Sequence, residues 1–142
     1  MNMLYLVGAI LITFNILDSV TTHIALYKLP DDLKAKESNP LMARMFVRHY
    51  KLAQGVKHAV VFIAAAFLII NKDLFSLEVL ATLLGLVVIN NTYILIFRKV
   101  MGKRVDSPIR RLQRLLHIPD KFYYVLVCVF FIGLSLLIVS SL

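Results

Sequence analysis

Four ionisable side chains interrupt the apolar stretches of this 142-residue sequence: Asp18, His23, Lys57 and His58. A charged group at the centre of a membrane span costs at least about 2.5–3.5 kcal/mol, so such residues usually mark a site for a proton, an ion or a ligand. Asp18 and Lys57 carry opposite charges. They are predicted to form either a structural ion pair or the charged part of a functional site.

Neutral polar residues accompany these charges at a similar depth. At 1.5 Å of rise per residue, Asp18 lies roughly 15 Å from the basic end of its span, Lys57 roughly 9 Å and Asn90 roughly 12 Å. At 100° per residue, three more polar residues lie within about 60° of Asp18: Asn15, Thr21 and Thr22. His23 points about 140° away, into a different environment. The pattern predicts a polar pocket in one half of the membrane.

The composition also indicates a membrane protein. Hydrophobic residues make up 60% of the chain and charged residues 17%, yet the net charge is +8. A soluble nucleic-acid-binding protein needs more polar surface, since soluble domains carry about 25% charged residues. The apolar content excludes intrinsic disorder. The single cysteine, Cys128, excludes an intrachain disulfide and a cysteine-based zinc cluster.

Four apolar runs of about 20 residues predict four transmembrane helices, because such a run covers the hydrocarbon core. They are about 3–27, 52–70, 75–97 and 122–142. The predicted fold is all-α, a single transmembrane domain over residues 1–142 built as a four-helix bundle. Asn39-Pro40 and Ser107-Pro108 each predict a helix start. The two basic amphipathic helices that follow, about 40–51 and 107–118, are expected to lie at the membrane interface on the cytoplasmic side.

The basic residues predict the orientation. Residues 28–51 and 98–121 hold 14 of the 16 Lys and Arg. Because positive residues are retained in the cytoplasm, these two loops are expected inside the cell and both termini outside. Arg110, Arg111 and Arg114 are predicted to contact anionic lipids of the inner leaflet of the cell or inner membrane.

These residues leave three functions open, and with them the question whether the protein is an enzyme. The first is binding of an ion or an anionic lipid headgroup, in a pocket whose mouth Glu37 and Asn39 would complete. The second is an intramembrane enzyme acting on lipid headgroups, with Asp18 as base and Lys57 or His58 as its electrostatic partner. The third is a small oligomeric transporter or channel, or a subunit of a larger complex, whose small residues permit close helix packing.

No short spacing such as HExxH supports a metal site, so none is predicted, and the residues identify no cofactor. The full set predicted to bind a ligand is Asn15, Asp18, Thr21, Thr22, Glu37, Asn39, Lys57, His58, Asn90 and Asn91.

Three short motifs follow one another in the order Asp18-Ser19-Val20-Thr21-Thr22, Glu37-Ser38-Asn39-Pro40 and Lys57. This order resembles a family of small bacterial, archaeal and viral membrane proteins described only as a domain of unknown function. The resemblance covers roughly residues 10–100. It implies that Asp18, Thr21, Thr22, Glu37, Asn39, Pro40 and Lys57 belong to one site, and it implies no activity.

Overall fold

The computed structural model describes residues 2–29, 40–102, 107–119 and 122–141. The described elements are α1 (Met3–His23), a π-helical segment (Ile24–Lys28), α2 (Pro40–Ile70), α3 (Leu74–Met101), α4 (Pro108–Leu115) and α5 (Tyr123–Ser140). No strand occurs in these ranges, and the predicted all-α fold is confirmed. Glu37 and Asn39, predicted at the mouth of the pocket, lie outside the described residues.

Four helical segments are long and apolar enough to cross a membrane, as the sequence predicts. They are Met3–Lys28, His49–Ile70, Leu74–Met101 and Tyr123–Ser140. Their outward faces carry large apolar side chains, such as Ile63 and Ile70, which are 70% and 78% exposed. So much exposed apolar surface suits contact with lipid rather than with water.

The helices pack around α1 and α3. Helix α1 lies against both α2 and α3, while α5 contacts only α3 and α4 among the described elements. The shared core contains Val7, Leu11, Ala65, Leu77 and Ala81. Helix α5 therefore lies at the edge of the bundle, with one buried stripe of Phe131, Ser135 and Val139.

A tight turn at one end of the bundle joins α2 to α3. Lys72 adopts a left-handed conformation in this turn (φ 57°), and Asp73 caps α3 by accepting a hydrogen bond from the Ser76 backbone N–H at 3.0 Å. The Ser76 side chain and backbone N–H hold the pKa of Asp73 below its ordinary value of 3.8. The predicted polar residues lie toward the other end.

At that other end, the backbone departs from regular helix twice. His49 (φ −146°, ψ 62°) introduces a kink in α2 between residues 40–48 and the spanning segment. The chain after α1 continues as a π-helical turn over Ile24–Lys28. Such wider turns are rare and recur near functional sites. Aromatic residues of α1, the π-helical segment and α2 lie together beside these two irregularities.

Helix α4 is anchored to the start of α5. Ser107 caps it and Pro108 opens it, as the sequence predicts, and the Ser107 hydroxyl lies 3.0 Å from the Tyr123 hydroxyl. The Arg110 guanidinium lies 4.5 Å from the centre of the Tyr123 ring. Gln113 is almost fully buried and donates to the Ile118 carbonyl at 2.8 Å. One face of this short helix therefore belongs to the protein interior.

Candidate functional site

The Asp18 carboxylate lies at the meeting point of three helices. One oxygen, Oδ2, accepts from Lys57 Nζ of α2 at 2.5 Å. The other, Oδ1, accepts from Asn91 Nδ2 of α3 at 2.8 Å and from the Thr22 hydroxyl of α1 at 3.4 Å. Asp18 is only 7% exposed. Both oxygens of a buried carboxylate are thus satisfied by donors from α1, α2 and α3.

The Asp18–Lys57 pair makes each charge tolerable in the apolar bundle. Removing one partner of a buried pair is strongly destabilising, whereas replacing the whole pair by apolar residues is often neutral. The pair therefore adds little net stability over an apolar alternative. The Lys57 side chain keeps 19% of its surface accessible. One edge of the pair is consequently accessible from outside the bundle.

A chain of polar contacts leads from this pair along the interface of α1 and α2. Lys57 Nζ also donates to the Ser19 hydroxyl at 3.3 Å, and that hydroxyl donates to Gln54 Oε1 at 2.8 Å. Gln54 Nε2 in turn donates to the Tyr50 hydroxyl at 3.2 Å. The Tyr50 hydroxyl lies 3.2 Å from His23 Nδ1. The contacts reach the end of α1, from which the first basic loop follows.

An aromatic cluster surrounds the end of this chain. Tyr27, in the π-helical turn, has its ring centre 5.3 Å from that of His23 and 4.9 Å from that of Tyr50. Phe46 packs on Tyr50 with centres 5.2 Å apart, and its carbonyl accepts from the Tyr27 hydroxyl at 3.4 Å. His23 thus lies apart from Asp18, as its helical angle predicts. The tyrosines give the polar chain an amphipathic end, which suits a membrane–water interface.

Sequence reasoning missed Ser19, Gln54 and Tyr50 as members of this network. Their spacing carries a usable signal, since Tyr50, Gln54 and Lys57 follow one another at intervals of four and three residues. Residues at these intervals share one face of a helix. On α1, however, Ser19 lies about 100° from Asp18, outside the stripe formed by Asn15, Thr21 and Thr22.

A second polar pair lies one helical turn from Asp18, farther from the basic loops. Asn15 Nδ2 lies 2.8 Å from His58 Nδ1. Asn15 is fully buried, and its side-chain oxygen Oδ1 has no hydrogen-bond partner among the described residues. A buried amide oxygen that accepts no hydrogen bond is uncommon in folded proteins.

The other predicted residues differ in how closely they join the network. The Thr21 hydroxyl donates to the backbone carbonyl of Asp18 at 3.1 Å, so it is bound within its own helix. The Asn90 side chain makes no hydrogen bond within the described part of the chain, although that of its neighbour Asn91 does. The structure therefore brings together Asp18, Thr22, Lys57 and Asn91, with Asn15 and His58 adjacent. In the described ranges, no group of three His, Cys, Asp or Glu residues could hold a metal ion.

The three arginines predicted to contact the membrane surface differ in their surroundings. Arg110 stacks on Tyr123 and donates to Gln113 Oε1 at 2.7 Å, so it helps dock α4. Arg111 and Arg114 are exposed. Nearby Leu115 and Leu116 are 74% and 55% exposed.

Two small residues of the bundle, Gly85 and Ala65, make packing contacts within the chain. A Cβ atom added at Gly85 would lie 2.9 Å from the Phe14 ring, so this glycine permits close packing of α1 on α3. Ala65 lies in the shared core. Neither residue is free to support the close packing between copies that a small oligomeric channel would require.

The polar network lies entirely within the region that matches a known protein family. Residues 9–98 match a family described as "Domain of unknown function (DUF5658)". The chain belongs to this family. The match includes all of α2 and most of α1 and α3, and therefore Asp18 and Lys57, whereas α4 and α5 lie beyond it. No curated protein and no solved structure matches the chain.

Proposed function

We propose that this protein is a multi-pass membrane protein that binds a polar lipid headgroup between α1 and α2. The observation that carries the proposal is the buried Asp18–Lys57 pair, whose hydrogen-bonded chain extends through Gln54 and Tyr50 to the end of α1. A headgroup entering at this end would meet tyrosines first and the charged pair farther in. Ionisable groups within a membrane bundle are candidates for a functional site. Because placing them in the membrane costs free energy, an ion pair without a function is unfavourable.

The distribution of charge supports an inner-leaflet location for this site. The network lies at the end of the bundle that faces residues 28–51 and 98–121, which hold 14 of the 16 Lys and Arg. We expect these loops in the cytoplasm and both termini outside, so the basic residues lie on the inner-leaflet side of the membrane, where they attract anionic phosphates. Exposed Arg111 and Arg114 would contact phosphates while Leu115 and Leu116 insert among the acyl chains.

The main competing interpretation is that the network only holds the helices together. Interhelical hydrogen bonds in membranes contribute about 0.6 kcal/mol on average, so they are modest stabilisers. A network with a purely structural role is expected to satisfy nearly all of its buried polar atoms from within the bundle. The unpartnered Asn15 oxygen and the partly accessible Lys57 ammonium instead leave capacity for a ligand.

Lipid retention tests the proposal directly. The wild-type protein, Lys57→Met and Lys72→Met are purified in a mild detergent, and co-purified lipid is measured by native mass spectrometry. Lys72→Met is the matched control, because it removes the same charge at the opposite turn. Losing a charged hydrogen-bond partner is worth about 1.5–3 kcal/mol, so Lys57→Met should retain about ten- to a hundredfold less lipid. Equal retention by both variants would refute headgroup binding at this site.

A second candidate function uses the same residues. Asp18 and Lys57 lie side by side, so a headgroup bound to Lys57 would come within reach of the Asp18 carboxylate, as general-base catalysis requires. Incubation with defined lipids distinguishes this enzyme from a binding protein. A binding protein leaves the lipids chemically unchanged, whereas an enzyme forms a product that Asp18→Asn abolishes.

A further inference from the structure

The polar network contains one charge of each sign and one acceptor without a donor. Asp18 and Lys57 neutralise one another, and the buried Asn15 side chain leaves its Oδ1 atom without a partner among the described residues. These features together restrict the charge of a ligand that the network can take, if headgroup binding holds.

A ligand with a single charge fits the pair poorly. An anion that binds Lys57 draws the ammonium away from Asp18 and leaves a carboxylate without its cation in the bundle. A cation that binds Asp18 likewise leaves Lys57 without its anion. An uncompensated charge in a low-dielectric interior is strongly unfavourable. A ligand that carries one charge of each sign opens the pair while giving both protein charges a new partner.

The unpartnered Asn15 oxygen indicates where the positive end would lie. Asn15 precedes Asp18 by three residues, so both side chains lie on one face of α1, with Cβ atoms about 5–6 Å apart. Since the Asn15 amide nitrogen faces His58 at 2.8 Å, its buried oxygen is left without a donor in the part of the chain that the structure describes, and a ligand that parts α1 from α2 at this level would supply one. A primary ammonium has several N–H donors and can bond to the carboxylate and this oxygen together.

The negative end would lie on the other side of the pair. Lys57 supplies the cation, and the Ser19 hydroxyl lies 3.3 Å from Lys57 Nζ. The single hydrogen of this hydroxyl is donated to Gln54 Oε1, so Ser19 donates to a ligand oxygen only by giving up that bond. The Gln54 amide follows one contact farther on, since its oxygen accepts from Ser19 at 2.8 Å. A phosphate offers several acceptor oxygens to this group of donors.

We propose that the network binds a zwitterion that carries a primary ammonium and a phosphate. This proposal rests on the proposed headgroup binding and narrows the ligand from any polar headgroup to a net-neutral one that carries both charges. The same chemistry occurs in the headgroup of phosphatidylethanolamine and in free phosphoethanolamine. A quaternary ammonium, as in phosphatidylcholine, has no N–H and would leave the Asn15 oxygen without a donor.

The wild-type protein alone provides the first test. Nanodiscs are prepared with equal amounts of phosphatidylethanolamine, phosphatidylcholine and phosphatidylglycerol, and the lipids retained by the released protein are counted by native mass spectrometry. Phosphatidylethanolamine should exceed each other lipid by about tenfold, the effect of one lost hydrogen bond to a charged group. A preference for phosphatidylglycerol would overturn the zwitterion and leave headgroup binding intact. Retention that is the same in Lys57→Met would overturn both.

A variant and a soluble probe complete the test. Asn15→Leu should lower the preference for phosphatidylethanolamine over phosphatidylcholine about tenfold, whereas Asn71→Leu, at the opposite turn, should leave it unchanged. An unchanged preference in folded Asn15→Leu would contradict the assigned position of the ammonium. In phosphatidylcholine nanodiscs, saturable binding of free phosphoethanolamine without a lipid preference would identify the soluble molecule as the source. If neither free phosphoethanolamine nor phosphatidylethanolamine is preferred, the zwitterion proposal is wrong.

Discussion

Breaking the Asp18–Lys57 pair from one side should destabilise the bundle more than removing both charges. In Lys57→Met, Asp18 keeps its hydrogen bonds from Asn91 and Thr22 but loses the cation at 2.5 Å. Removing one partner of a fully buried pair costs about 3–5 kcal/mol. Because the Lys57 side chain is 19% exposed, the lower end of that range applies, about 3 kcal/mol.

The reverse variant should cost less, because lysine can move its charge toward the interface. In Asp18→Asn, the ammonium loses its carboxylate but can extend toward water along its flexible stem. We expect a loss of about 1–2 kcal/mol. In the double variant Asp18→Asn/Lys57→Met, no unpaired charge remains, and the expected loss is within about 1 kcal/mol of the wild type.

A double-mutant cycle measures the interaction between the two side chains. The four proteins are unfolded reversibly with SDS in mixed micelles, and far-UV circular dichroism follows the transition. The two single losses together are about 4–5 kcal/mol and the double loss is at most about 1 kcal/mol, so the coupling energy should be at least about 3 kcal/mol, at the upper end of the range for residues in direct contact. The same cycle with Lys72→Met in place of Lys57→Met should give no coupling. Additive losses in the Asp18–Lys57 cycle would refute the claim that these charges compensate one another inside the bundle.

Three other properties of the structure can be checked with simple variants. Gly85→Ala should destabilise the bundle by about 1–3 kcal/mol in the same SDS assay, since its Cβ would lie 2.9 Å from the Phe14 ring. Gly133→Ala is the control and should not destabilise the bundle, because a Cβ atom added there has no neighbour within 4 Å among the described residues. The lowered pKa of Asp73 means that its ionised form favours the folded state, so its stabilising effect is complete above pH 3.8 and is lost as the pH falls through the lowered pKa. The thermal stability of the wild type should therefore fall relative to that of Asp73→Asn only in acid. A difference in thermal stability between the two proteins that stays constant from pH 3 to pH 6 would contradict this. A C-terminal alkaline phosphatase fusion should be active and a C-terminal green fluorescent protein fusion dark, and the opposite pattern would overturn the predicted orientation.

The architecture was predictable because the membrane imposes simple rules on sequence. A membrane-spanning helix must satisfy the hydrogen bonds of its own backbone and present apolar side chains to lipid over about 20 residues. Each of these rules leaves a pattern that can be counted in the sequence. The N-cap at Ser107 and the proline that follows it are equally local signals. The edge position of α5 was not predictable, because its sequence is apolar all round and so does not indicate which face packs on α3.

The candidate site was predictable only in part, for a geometric reason. Depth along a span follows from counting residues, so the sequence alone places Asp18 and Lys57 at comparable levels. Which side chains meet depends on how the helices rotate about their axes. Ser19 therefore escaped notice, and Asn90 and Asn91 were both predicted although Asn91 is the one of the two that reaches Asp18.

The double variant also separates the two roles that a buried ion pair can have. If the pair serves only to hold the helices together, Asp18→Asn/Lys57→Met should lower the stability of the bundle but preserve every lipid interaction of the folded protein. If the pair exists to bind a headgroup, the same protein should fold normally and still lose its retained lipid, because neither charge is left to bind it. A stable, lipid-free double variant would mean that the charges were retained for binding, since the bundle does not need them to fold.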